Sequence, residues 1–96
     1  MKPPFVITFV QAHCPACHEF MPRFLQATAK YKRCGVRVFA PDVSRRFDHE
    51  TQKAADHFKI QATPTTVIVN REGRVKKLEG SVTAARLDKV LTEALG

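Results

Sequence analysis

The chain has 96 residues, which suits one small domain, and an apolar fraction of 44% supports a packed core and argues against disorder. Sixteen Lys and Arg against nine Asp and Glu give a formal charge of +7, but the basic residues are scattered, so we expect a solvated basic surface rather than a nucleic-acid site. No apolar run approaches the roughly 20 residues of a membrane span, which excludes a membrane-spanning protein.

The first predicted elements are a strand and a long helix. Phe5–Val10 is a continuous apolar run, typical of a strand that is buried on both faces. After Cys14 the apolar residues recur at helical spacing, and Gly35 ends the helix. Pro22 falls inside this helix and predicts a kink. The apolar stripe comprises Cys17, Phe20, Met21, Phe24, Thr28 and Tyr31.

A second strand and a short helix follow. The strand is predicted over Val36–Ala40. Asp48 is a candidate N-cap because its side chain can accept a hydrogen bond from the first helical turn. The inward face of the short helix is then predicted to contain Ala54, Ala55 and Phe58.

The next segment predicts a β-hairpin. Thr65–Val69 is a β-rich apolar run, and Asn70–Gly73 is typical of a hairpin turn. A weaker fourth strand passes through Val75 and Leu78. The two strands of this hairpin should be antiparallel.

The last helix has the clearest pattern. Thr83 is a natural N-cap, and Val82 can pack onto Leu87 in the first turn. The apolar residues that follow lie on one face of an amphipathic helix. They are Leu87, Val90, Leu91, Ala94 and Leu95.

These elements predict an α/β fold with the order β-α-β-α-β-β-α in one domain over residues 1–96. Two strands joined through a helix should be parallel with a right-handed connection. Together with the antiparallel hairpin they form a four-stranded mixed sheet, and the helices should cover both of its faces.

The stretch "HCPACH", from His13 to His18, carries the chemistry, and three interpretations are open. As C-x-x-C-H it matches a haem attachment signature, as two thiols between imidazoles it could bind zinc, and as C-x-x-C it is a redox dithiol. Haem attachment needs an oxidising compartment, and a structural zinc site needs four ligands. The remaining Cys and His residues are Cys34, His49 and His57. The dithiol is the favoured interpretation.

The compartment follows from the N-terminal segment. "MKPPFVITFV" is a poor signal peptide because two prolines follow its only basic residue and no small-residue cleavage site follows the apolar run. We therefore expect a cytoplasmic protein. Three cysteines are too few for a disulfide scaffold, and cytosolic C-x-x-C pairs are usually redox-active or metal-binding.

With a C-x-x-C between the first strand and helix, the order of elements resembles the thioredoxin family. "FVQAHCPACHEFMP" is similar to the family's active-site segment, and "KIQATPT" to its loop with a cis-proline, here Pro64. "NREGRV" resembles its hairpin turn, and Gly80 the glycine near its active surface. The resemblance runs from about Phe5 to the end, and since the family's usual N-terminal strand and helix are missing, it implies a short form.

The positions of the two thiols suggest different roles for them. Cys14 lies at the helix N-terminus, where free N–H groups and the helix dipole favour a thiolate, so it is the expected nucleophile. Cys17 lies one turn deeper on the apolar stripe and is the expected resolving thiol. We also expect Cys14 to be exposed and Cys17 protected. The resemblance implies that Thr63 and cis-Pro64 bind substrate through backbone, with Gly80 nearby.

Several positions depart from the family pattern. His13 replaces a tryptophan, Pro15-Ala16 replaces Gly-Pro, and Thr8 replaces a buried aspartate thought to relay a proton. A protonated His13 would stabilise the Cys14 thiolate and with it the reduced form. We therefore expect a reduction potential above thioredoxin's roughly −270 mV, nearer the about −200 to −230 mV of glutaredoxins.

The resemblance implies a protein-disulfide reductase that acts on disulfide-containing proteins. It would hold no cofactor, would be a monomer, and would receive electrons from NADPH through a thioredoxin reductase. A glutaredoxin-like protein coupled to glutathione is one alternative. A thioredoxin-like module that binds a partner, with incidental redox activity, is another.

Overall fold

The computed structural model describes all 96 residues, Met1–Gly96. The elements occur in the predicted order of strands and helices. Their bounds are β1 Phe5–Phe9, α1 Pro15–Arg33, β2 Arg37–Phe39, α2 His49–His57, β3 Thr65–Val69, β4 Val75–Glu79 and α3 Ala84–Leu95. None of the helices is long and apolar enough to cross a bilayer.

The strands form one four-stranded mixed sheet in the order β2-β1-β3-β4. β1 and β2 are parallel, with Val6 opposite Val38. β1 and β3 are antiparallel, with Val6 opposite Ile68, and the β3–β4 hairpin is antiparallel as well. The α/β thioredoxin-like fold predicted from the sequence is confirmed.

Side chains alternate along the central strands β1 and β3, and all of them are buried. Both faces of the sheet therefore need to be covered, and helices cover both. Val6 points to the face on which α1 and α3 pack, and the main core cluster lies there. Ile7 points to the opposite face, where α2 contributes Phe58 at its C-cap. The fully buried aromatic residues are Phe9, Phe20 and Phe24.

The strand ends differ from the prediction, whereas the kink predicted at Pro22 of α1 stays a prediction. β1 ends at Phe9, and Val10 forms only an isolated bridge with Asp42. β2 is shorter than predicted and stops at Phe39, since Pro41 has no N–H with which to continue the ladder. α1 continues through Pro22 as one helix.

Asp48 is the N-cap of α2, as predicted. Its carboxylate accepts hydrogen bonds from the Thr51 hydroxyl at 2.8 Å and from the Thr51 backbone N–H at 3.2 Å. The hydroxyl and then the backbone N–H lower the pKa of Asp48 below its ordinary value of 3.8, because both donate to the ionised form. The ionised cap therefore stabilises the folded chain.

The Asp48 cap predicts a loss of stability in acid. A carboxyl whose pKa is lower in the folded chain stabilises above its unfolded value, and this contribution is lost as the pH falls through the folded pKa. Asp48→Asn keeps a capping oxygen but does not titrate in this range. Acidification from about pH 6 to about pH 2 should lower the urea midpoint of unfolding in both proteins. We expect this decrease to be smaller in Asp48→Asn than in the unmodified chain. An identical fall in both proteins would contradict the role given to this cap.

Candidate active site

The Cys14–Cys17 pair lies at the start of α1. Cys14 is the N-cap in extended conformation, with φ −109° and ψ 101°, and Pro15 occupies the first helical turn, where a missing N–H costs little. The two cysteines form a disulfide, with their Cα atoms 5.2 Å apart. The helix start thus brings the two sulfurs of the C-x-x-C into bonding contact.

Two donors point at the sulfur of Cys14. The backbone N–H of Cys17 donates to it at 3.2 Å, as the capping bond of the helix. The hydroxyl of Thr63 donates to it at 3.5 Å, across 49 residues of sequence. Hydrogen bonds of this kind favour a charged acceptor, so in the reduced protein both would stabilise a Cys14 thiolate over the thiol.

The burial of Cys14 corrects one expectation from the sequence. Cys14 was expected to be exposed and Cys17 protected, but only 7% of Cys14 and 3% of Cys17 is exposed. The reason is the loop before β3, since the carbonyl oxygen of Thr63 lies 3.7 Å from the Cys14 sulfur and its hydroxyl lies still closer. A helix N-terminus by itself would leave this sulfur more open.

The remaining predicted binding residues gather around the same loop. The Thr63–Pro64 peptide bond is cis, and Pro64 is buried. Gly80 has φ +86°, in the left-handed region that favours glycine, and its N–H donates to the carbonyl oxygen of Pro64 at 2.7 Å. Thr63, Pro64 and Gly80 therefore lie together beside Cys14.

His13 lies in solvent and does not contact this loop through a hydrogen bond. It is exposed and has φ +59°, and its imidazole takes part in no hydrogen bond or ion pair. His18 is also exposed, on the first turns of α1. No group of three or more His, Cys, Asp or Glu side chains lies where it could hold a metal ion. Any effect of His13 on Cys14 must therefore act through charge rather than through a direct bond.

His13→Ala is expected to destabilise the Cys14 thiolate and to make the protein more reducing, because it removes the neighbouring imidazole that would stabilise the thiolate when protonated. The expected change is an about threefold smaller thiolate fraction at neutral pH. His18→Ala is the matched control and should change the fraction little. Thiolate absorbance near 240 nm, followed through a pH titration, measures both variants. An unchanged titration in His13→Ala would leave the helix terminus and the donors from Cys17 and Thr63 as the sources of activation.

The site has no carboxylate at the position of Thr8. Thr8 is fully buried on β1, and its hydroxyl oxygen accepts a hydrogen bond from the Thr66 hydroxyl at 3.0 Å. Val38, opposite Val6 on the neighbouring strand β2, is half-buried and uncharged as well. A hydroxyl cannot act as a base near neutral pH, so Thr8 can satisfy buried hydrogen bonds but cannot take a proton from a thiol.

Two features in and near the site could not be predicted from the sequence. Thr63 was expected to act through its backbone only, and the position before a proline gives no sign that a hydroxyl reaches a sulfur 49 residues away. The second feature is Arg23, whose guanidinium donates to the Val82 carbonyl at 2.8 Å and to the Ser81 hydroxyl at 3.1 Å. Arg23 thereby ties α1 to the loop that follows Gly80, and no sequence pattern indicates this long-range bond.

Known structures support the fold. Thioredoxin O2 from Arabidopsis thaliana in its oxidised state is 23% identical, with a TM-score of 0.76 over 97% of this chain and 76% of that one. Thioredoxin NaTrxh from Nicotiana alata is 23% identical, with a TM-score of 0.77 over 100% and 76%. Mitochondrial thioredoxin 3 from Saccharomyces cerevisiae, in its oxidised form, is 23% identical, with a TM-score of 0.74 over 97% and 80%.

No curated protein matches the chain. The family model described as the thioredoxin-like domain matches residues 1–95, almost the whole length. A thioredoxin-like fold with a bonded cysteine pair at a helix N-terminus supports thiol–disulfide oxidoreductase chemistry. From its sequence and its fold alike, the chain belongs to the thioredoxin-like family.

Proposed function

We propose that the protein is a protein-disulfide reductase that works through a reversible Cys14–Cys17 dithiol. The observation that carries this proposal is the Cys14 sulfur, which forms the disulfide at the start of α1 and accepts hydrogen bonds from Cys17 and Thr63. A sulfur in this setting is a good nucleophile when reduced and a good leaving group when bonded, because both roles need a stable thiolate.

The exchange proceeds in two displacements. The Cys14 thiolate attacks one sulfur of the substrate disulfide, the substrate's S–S bond breaks, and the other substrate sulfur leaves as a thiolate that takes a proton. Cys17 then loses its proton to water, since Thr8 cannot accept it and the exposed His13 makes no hydrogen bond. The Cys17 thiolate attacks the Cys14 sulfur, the bond between Cys14 and the substrate breaks, and the second substrate sulfur leaves as a thiolate that takes a proton. Two electrons have passed to the substrate, and the Cys14–Cys17 disulfide remains.

Substrate is held beside Cys14 through the loop before β3. In this proposal the backbone of Thr63 pairs with an extended stretch of the substrate, in the manner of strand addition. The cis peptide at Pro64 and the neighbouring Gly80 border the same surface. Recognition through backbone would let one protein accept many disulfide-containing substrates.

The electron donor that reduces the oxidised protein again is also part of this proposal. The oxidised protein would be recharged by NADPH through a flavin-dependent thioredoxin reductase in the cytoplasm. Nothing in the displacement chemistry requires a cofactor bound to the chain itself, because the two thiols carry both electrons. Recharging by glutathione is the competing possibility.

Two reconstituted systems separate these donors. One contains NADPH and thioredoxin reductase, the other NADPH, glutathione and glutathione reductase, and both receive oxidised insulin as substrate. We expect NADPH oxidation, followed at 340 nm, in the first system with the unmodified chain and not with Cys14→Ser. Activity in the second system alone would show that glutathione, and not thioredoxin reductase, is the electron donor. Inactivity in both systems would contradict the proposed reductase.

A further inference from the structure

The loop from Ser44 to Asp48 presents an aromatic ring between charges. Phe47 is 94% exposed, the highest value among the large apolar side chains. Arg45 and Arg46 precede it and are exposed as well. We refer to these three residues as the Arg-Arg-Phe loop. Aromatic residues and arginine are the side chains that most often contribute binding energy at protein interfaces.

This loop lies at the same edge of the sheet as the disulfide. β1 and β2 are parallel, so the segments that leave their carboxyl ends emerge side by side. The Val10 N–H donates to the Pro41 carbonyl at 3.0 Å, and the Val43 N–H donates to the Val10 carbonyl at 2.8 Å. Val10, four residues before the first cysteine, also pairs with Asp42 as an isolated parallel bridge. The disulfide and the Arg-Arg-Phe loop therefore follow neighbouring strands at one edge of the sheet, where one protein partner can contact both.

Hydrogen bonds hold the loop in one conformation. The Gln52 amide nitrogen donates to the Val43 carbonyl at 2.9 Å and to the Arg45 carbonyl at 3.1 Å. The Asp48 N–H donates to the same Arg45 carbonyl at 3.1 Å. A surface that is ordered before binding loses less conformational entropy when a partner arrives.

The arginines of the loop have no ion-pair partner within the chain. The only ion pair of the structure joins Arg23 to Glu19. Asp42 and Asp48 flank the loop, and after the hydrogen bonds from Ser44 and Thr51 the nearby charge of Arg45 also lowers the pKa of each carboxyl. Arg45 is thus partly balanced by these two carboxylates without an ion pair, whereas the exposed Arg46 keeps its charge for another molecule.

Folding does not account for the position of Phe47. It directly precedes the N-cap of α2, where an apolar residue commonly packs against the fourth residue of the helix as a hydrophobic staple. That fourth residue is Gln52, whose amide is engaged by the loop carbonyls. The ring thus finds no apolar partner there and remains in solvent, although single exposed apolar residues are otherwise common.

We propose that the Arg-Arg-Phe loop is a docking site for proteins that carry acidic residues beside the disulfide to be reduced at Cys14. Arg45 and Arg46 pair with the carboxylates, and Phe47 contacts apolar surface of the same partner. This proposal rests on the proposed reductase function and adds a substrate class to it. A protein is favoured over a nucleic acid because single strands are bound by several aromatic platforms for successive bases, whereas this loop offers one ring beside a redox site.

The test uses two synthetic peptides, each with one intramolecular disulfide, flanked by four Glu in one peptide and by four Gln in the other. The second-order rate constant for reduction by the pre-reduced protein is measured at low salt. We expect the acidic peptide to react about tenfold faster with the unmodified chain, since charge complementarity raises association rates. In Arg45→Gln/Arg46→Gln this ratio should fall to about 1 to 2, and Phe47→Ser should slow the acidic peptide about threefold.

The matched control is Lys32→Gln/Arg33→Gln, which removes the same charge from the C-terminal end of α1. This end lies about 28 Å along the helix axis from the end that carries Cys14. It should keep the tenfold ratio. Equal ratios in the two charge variants, or a ratio near 1 in the unmodified chain, would overturn the docking site and leave the reductase standing. Failure to reduce either peptide would instead overturn the reductase.

A fluorescent single-stranded oligonucleotide gives a separate outcome. Anisotropy is measured at about 150 mM salt, where weak surface electrostatics are screened. We expect no saturable binding. Binding that is lost in Arg45→Gln/Arg46→Gln, together with an unchanged peptide ratio, would overturn the proposal in favour of a nucleic-acid site.

Discussion

Cys17→Ser is expected to trap the protein on its substrates as mixed disulfides, whereas Cys14→Ser is expected to trap none. The Cys14 sulfur has two hydrogen-bond donors that would stabilise its thiolate, so it can attack a substrate without Cys17. Once the mixed disulfide has formed, only the Cys17 thiol is placed to release it. Turnover of a protein disulfide should fall to the background rate in both variants, and the adduct should accumulate in one.

Intact mass spectrometry and non-reducing gels after incubation with oxidised insulin measure the adduct. Both variants are made in a Cys34→Ser background, because Cys34 is an exposed free thiol that could form adducts of its own. The unmodified dithiol in the same background is the control and should show little adduct. Equal adducts on the two variants would show that the roles given to Cys14 and Cys17 are wrong.

Phe24→Ala is expected to have the largest effect on stability. Phe24 is fully buried in the core cluster between the sheet, α1 and α3, and its ring centroid lies 6.0 Å from that of Phe20. Removing a buried aromatic side chain costs about 3–5 kcal/mol, from the lost burial and the cavity left behind. That is a large part of the roughly 5–15 kcal/mol by which domains of this kind are stable.

Chemical denaturation followed by circular dichroism measures the free energy of unfolding. The matched control is Leu25→Ala, one residue along α1, because 58% of Leu25 is exposed. It should lose well under about 1 kcal/mol, as surface substitutions usually do. A similar loss in both variants would contradict the position of Phe24 in the core.

Periodicity and caps predicted most of the fold. The apolar stripes of α1 and α3 and the continuous apolar runs of β1 and β3 were sufficient to place these elements, because their burial is regular. The ends of β1 and β2 were predicted less well. They depend on where Pro41 interrupts the pairing, and that depends on the register between two strands.

Local sequence patterns predicted the candidate site only where its residues are close in sequence, and Thr63, Pro64 and Gly80 were predicted from the resemblance to the thioredoxin family instead. The Cys14–Cys17 pair is local, so its spacing and the helix start indicated it. The burial of Cys14 and the Thr63 hydroxyl bond come from a loop 49 residues away, and no local pattern encodes that contact. Phe47 could not be identified from the sequence either, since its exposure results from the absence of an apolar partner on α2.

Insulin precipitation shows whether the Cys14–Cys17 pair reduces protein disulfides. Turbidity of an insulin solution in dithiothreitol is followed with the unmodified chain, with a Cys14→Ser/Cys17→Ser double variant and without protein. We predict that the unmodified chain shortens the lag before precipitation, while the double variant, folded as judged by circular dichroism, matches the reaction without protein. Equal acceleration by the chain and by the double variant, or no acceleration by either, would contradict the claim.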